Sequence, residues 1–115
     1  MTFDDLVLEL RRFAADRDWE RFHTPKNLAL SLAVELGELL EHFQWGTDDK
    51  ILDLAATPEG GAAVAEELAD VFIYLVRLAD VLGIDLLDAA SSKIAANADR
   101  YPADEVRGSS AKRAL

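Results

Sequence analysis

Residues 32–40 read Leu32-Ala33-Val34-Glu35-Leu36-Gly37-Glu38-Leu39-Leu40, and residues 66–74 read Glu66-Glu67-Leu68-Ala69-Asp70-Val71-Phe72-Ile73-Tyr74. Each stretch runs at the helical period and carries a pair of acids, three residues apart, where apolar residues are expected, the second with Glu66 beside its pair. Side chains at i and i+3 share one helical face, so Glu35 pairs with Glu38 and Glu67 with Asp70. Like charges at that spacing repel even in water, and burial adds a desolvation cost that demands a partner. Lys50 and Arg77 lie well away from these acids along the chain. A hard divalent cation answers the need, because Mg²⁺ takes oxygen ligands and carboxylates supply them. For one such pair alone, a solvated acidic stripe is the better reading. Two pairs on separate, otherwise apolar helices favour a metal site once those helices pack face to face. A di-iron bundle wants Glu-x-x-His at i,i+3. Here Glu41 follows Glu38 at that spacing, with His42 one place later, and Asp70 follows Glu67, which disfavours iron.

Outward from these stretches the 3.6-residue period persists and strand signals are nearly absent. Thr2 caps a first helix to about Arg17, with Phe3, Leu6, Leu10 and Phe13 on one stripe. Asp18 to Thr24 is an aromatic-rich connector. Thr24 and Pro25 open a second helix to roughly Gln44, and Thr47 opens a short third helix to about Ala56. Thr57-Pro58 repeats the start signal. Gly60-Gly61 weakens the first turn, so the firm part of the fourth helix is expected over residues 62–82. Asp85 caps a fifth that stops before Tyr101-Pro102. Residues 1–102 make one domain, and residues 103–115 read as a polar, mobile tail. The expected fold is all-α, a bundle of four to five helices. Because the second and fourth helices are apolar over more than one face, the bundle is expected to be completed by homo-oligomerisation.

Composition narrows the function classes. The formal charge of −10 argues against binding a nucleic-acid polymer, which needs a basic field. An acidic chain still binds phosphates where a cation reverses the local sign. With no cysteine, disulfides, thiolate metal sites and Cys nucleophiles are excluded. Met1–Leu6 is acidic and lacks a signal-peptide pattern, and the longest apolar run, Val71–Val76, is too short to cross a bilayer. A cytoplasmic protein with no membrane partner is expected.

The chain resembles the MazG-like all-α nucleotide pyrophosphohydrolase superfamily, and within it the dCTP pyrophosphatase branch. The resemblance rests on Arg17-Asp18-Trp19-Glu20-Arg21-Phe22-His23, Pro25-Lys26-Asn27-Leu28, Glu35-Leu36-Gly37-Glu38 and Phe43-Gln44-Trp45. It continues through Glu66-Glu67-Leu68-Ala69-Asp70-Val71, Ile73-Tyr74-Leu75-Val76, Ser92-Lys93, Asn97 and Arg100-Tyr101-Pro102. It implies Mg²⁺-dependent hydrolysis of a nucleoside triphosphate to a monophosphate and pyrophosphate, with Mn²⁺ as a possible substitute. A homo-oligomer, dimer or tetramer, with sites formed between subunits is also implied. By the resemblance Glu35, Glu38, Glu67 and Asp70 match metal ligands; the chemistry also asks one metal-site carboxylate, Glu38 or Glu35, to accept the proton of the attacking water. Trp19 and Trp45 match aromatics that enclose the base. His23, Asn27, Tyr74, Lys93, Asn97 and Tyr101 match the nucleotide pocket. Lys93 and Arg100 suit phosphate oxygens. The chain departs from some vertebrate relatives at Leu10, where they carry a histidine, and in the segment from Gly46 to Gly61. The resemblance implies dCTP or a 5-substituted dCTP as the first substrate; both departures bear on that base preference, and dUTP or a damaged purine nucleotide are the alternatives. A non-catalytic nucleotide-binding module is the reading from another class.

Overall fold

The structure, a computed structural model, describes residues 1–111. These form six α-helices and no strand: α1 Phe3–Asp16, α2 Pro25–Glu41, α3 Asp48–Ala56, α4 Pro58–Val81, α5 Leu86–Arg100 and α6 Ala103–Val106. A 3-10 turn, Glu20–Phe22, lies between α1 and α2. The four-residue α6 falls in the segment read from sequence as a tail; residues 112–115 lie outside the described residues.

Local chemistry sets the boundaries. Thr2 accepts from the Asp5 amide at 3.1 Å while the Thr2 amide donates to the Asp5 carboxylate at 2.9 Å, a reciprocal cap. Thr24, Thr47, Thr57 and Asp85 cap α2, α3, α4 and α5 one way, each side chain accepting from the amide three residues on, with proline following Thr24 and Thr57. At the end of α1, Asp18 takes a left-handed φ of 53°. The Asp18 amide then donates to the Ala15 carbonyl at 3.1 Å and that of Trp19 to Ala14 at 2.9 Å. This closure throws the Trp19 ring back onto Phe13, edge to face at 5.8 Å.

Two boundaries differ from the sequence reading. The second helix ends at Glu41, because its last bonds tighten: the His42 amide reaches Leu39 and that of Phe43 reaches Leu40, one residue short of α-helical spacing. The fourth helix begins at Pro58, so Gly60 and Gly61 lie in regular helix. Their role is close packing. Thr57 ends α3 and caps α4 at once, which drives the first turn of α4 against the α3 carbonyls. A β-carbon on Gly60 would overlap the Leu54 carbonyl oxygen and come within 2.7 Å of Thr57 Oγ1, and one on Gly61 would lie 2.7 Å from the Ala55 oxygen.

The chain divides into two compact units, Met1–Gly83 and the segment from Ile84 onward. In the first, α4 packs chiefly along α2, with α3 and α1 against it. Its buried apolar residues are few: Ala14, Leu28, Leu39, Val76 and Ala79. Leu30, Val34, Leu36 and Leu40 of α2 and Leu68, Phe72 and Leu75 of α4 stay exposed in the single chain. No described helix is long and apolar enough to cross a membrane.

Candidate metal centre

The α2–α4 pair brings the acids together. Ligand oxygens of Glu35, Glu38 and Glu67 lie within 4.8 Å of one another, a cluster that could hold a metal ion. Asp70 is half-buried and close enough for its charge to act on both Glu35 and Glu67. Burial, a hydrogen bond to Glu38 and the charges of Glu38, Asp70 and Glu67 push the Glu35 carboxyl above its ordinary range. Burial and the same neighbours raise Glu67, against a small opposing effect from His42. One oxygen of Glu35 and one of Glu67, both Oε2, are buried without a hydrogen-bond partner. Buried carboxylate oxygens with no donor are what a bound cation would satisfy, and an all-carboxylate donor set suits a hard divalent ion.

A cavity of about 340 Å³ is lined by Trp19, Phe22, His23, Asn27, Leu28, Ser31 and Tyr74. Ser31 precedes Glu35 by four residues on α2, and Tyr74 follows Asp70 by four on α4. As numbers rise along α2 they fall along α4, so the helices run antiparallel. The cavity therefore lies one helical turn, about 6 Å, from the acids along both axes. Asn27 holds the connector in place, its side-chain amide donating to the Phe22 carbonyl at 3.1 Å. On the other side of Trp19, His23 and Tyr74 a smaller space of about 90 Å³ is closed by Leu10, Phe13, Ile73 and Arg77.

The structure thus gathers Glu35, Glu38, Glu67 and Asp70 at one place and Trp19, His23, Asn27 and Tyr74 beside it. Trp45 lines neither cavity and is 87% exposed. Lys93, Asn97, Arg100 and Tyr101 belong to the second unit, on one face of α5 and its C-cap at i, i+4, i+7 and i+8.

Three residues at or near the site were not assigned a role from sequence. Arg77 is buried, donating from Nε to His23 Nδ1 at 3.1 Å and from Nη1 to Asp80 Oδ2 at 3.1 Å. Asp80 also takes the Arg11 guanidinium, whose Nε donates to its Oδ2 at 2.8 Å. That pairing is the chief reason the Asp80 carboxyl sits below its ordinary range. The third is His42, whose charge acts on Glu67. The signal for Arg77 and Asp80 was the one that exposed the acids, charges at i,i+3 interrupting an apolar helical run.

An all-α fold with two acidic pairs facing each other across antiparallel helices defines the class. Residues 30–113 match the MazG-like family, and the chain belongs to that family. It is 48% identical to mouse dCTP pyrophosphatase 1 and 49% identical to the human protein of that name. Both alignments cover 96% of this chain, which spans 65% of the length of either relative. A pyrophosphatase from Archaeoglobus fulgidus, known from a crystal structure, superposes with a TM-score of 0.79 at 42% identity, over 86% of this chain and 91% of that one.

Proposed function

We propose that the protein hydrolyses a nucleoside triphosphate, first of all dCTP or a 5-substituted dCTP, to the monophosphate and pyrophosphate. The observation that carries this reading is the cluster of Glu35, Glu38 and Glu67, with the Asp70 charge acting on it and two buried oxygens lacking donors, one turn from an aromatic cavity. Phosphoanhydride cleavage asks for positioning and neutralised charge rather than covalent chemistry from the protein. The four carboxylates would hold Mg²⁺, with Mn²⁺ as substitute. When bound, the ion would neutralise phosphate charge and make a water more acidic. Glu35 or Glu38 would accept the proton of the attacking water. Trp19 and Tyr74 border a space suited to a base, where stacking on an aromatic contributes about 1–3 kcal/mol. Trp45 is exposed and available for the same use. Lys93 and Arg100 supply cationic partners for phosphate oxygens, with Asn97 and Tyr101 on the same face of α5.

The exposed Leu30, Val34, Leu40 and Leu68 support a homo-oligomer, dimer or tetramer, in which a second copy covers the open side of α2 and α4. Incubating the protein with canonical and 5-substituted dNTPs, with Mg²⁺ or with EDTA, tests the reading. Ion-exchange separation should show monophosphate only when the metal is present, with cytosine nucleotides turned over fastest. No product from any nucleotide would favour a binding module instead.

A further inference from the structure

The chain Arg11–Asp80–Arg77–His23 ties α1, α4 and the connector together and ends on the wall of the aromatic cavity. A guanidinium can only donate, so the 3.1 Å contact from Arg77 Nε makes His23 Nδ1 an acceptor. A proton on Nδ1 would set two N–H groups head to head beside a fixed positive charge. The imidazole proton therefore belongs on Nε2, which has no hydrogen-bond partner among the described residues. Arg77 is itself immobilised, 9% exposed and held by Asp80, which Arg11 grips from the other side. Burial and the Arg77 charge also push the His23 pKa below its ordinary value, consistent with a neutral ring.

We propose that Arg77 is a positioning residue that fixes His23 as the neutral Nε2–H tautomer, a dedicated donor in the Trp19–Tyr74 cavity that selects bases presenting an acceptor edge. This rests on the reading that the cavity takes the nucleobase. The N3 and O2 atoms of cytosine both accept, whereas uracil places an N–H at position 3. Set against ring position 3, a fixed donor matches the cytosine N3 and opposes the uracil N–H, whereas O2 accepts in both bases; sites built around a hydrogen bond reject ligands that cannot make it.

The chain has two histidines, so long-range ¹H–¹⁵N spectra of histidine-labelled protein resolve both, with His42→Gln assigning them. The expected spectrum at neutral pH shows His23 with Nε2 protonated and Nδ1 bare. In Arg77→Met the two nitrogens should move toward a tautomer average. Titrating dCTP and dUTP against tryptophan fluorescence gives the second readout. The wild type should prefer dCTP by roughly tenfold, and Arg77→Met should narrow that ratio. A wild-type spectrum with Nδ1 protonated, or with averaged tautomers, overturns the proposal even if Arg77→Met does not fold. Equal dCTP-to-dUTP ratios in wild type and a folded Arg77→Met overturn it while leaving the base pocket standing. The expected tautomer with no quenching by either nucleotide locates the failure in the base-pocket reading, and the inference falls with it.

Discussion

Asp80 shows how much one side chain can carry in this fold. Its carboxylate holds the buried Arg77 in place and receives Arg11 from outside. Asp80→Ala leaves a buried guanidinium without its anion and should cost about 2 kcal/mol in urea unfolding, the usual scale for an uncompensated buried polar group. Arg11→Ala, which removes only an exposed partner, should cost far less. His23 adds a pH dependence. Its pKa is lowered by folding, so below the ordinary 6.5 the unfolded chain takes up a proton that the native ring refuses. Stability should be undiminished above pH 6.5 and fall as pH drops through the window down to the native pKa. Unfolding curves on either side of that value should differ more in wild type than in His23→Gln; equal differences would remove His23 as the cause. The acids were legible in the sequence because each interrupts an apolar run at i,i+3. Arg77 and Asp80 interrupt the same helix at the same spacing, yet their importance was hidden. Their partners, His23 and Arg11, come from elements far away in sequence.

Among the elements, five polar caps and two Thr-Pro starts fixed α1 to α5 closely from sequence, since capping is decided by residues three positions apart. The errors came where tertiary packing intervened. Gly60-Gly61 reads as a weak turn by helix propensity, but the shared Thr57 corner needs the absence of side chains there. Gly60→Ala should gain helix propensity and still lose stability by about 1–3 kcal/mol, because the added methyl meets backbone it cannot displace. Thermal unfolding measures this, and a raised midpoint would contradict the account of the α3–α4 corner. The four-residue α6 had no readable signal, being shorter than a helical period pattern needs.

For the whole molecule, the all-α class follows from the period alone, while the exposed apolar faces of α2 and α4 leave a single chain with a small core. The acidic composition and the cluster of Glu35, Glu38 and Glu67, with the Asp70 charge acting on it, give the protein an electrostatic problem that a cation could answer. The central claim is that this cluster splits a nucleoside triphosphate between its α and β phosphorus atoms. Following dCTP with Mg²⁺ by ³¹P NMR, in wild type and in Glu38→Ala and Asp70→Ala, tests it most directly. The account predicts dCMP and pyrophosphate appearing together in wild type, with no inorganic phosphate, and no turnover in either variant while helical circular dichroism persists. Release of inorganic phosphate and dCDP, or undiminished turnover in folded variants, would contradict it.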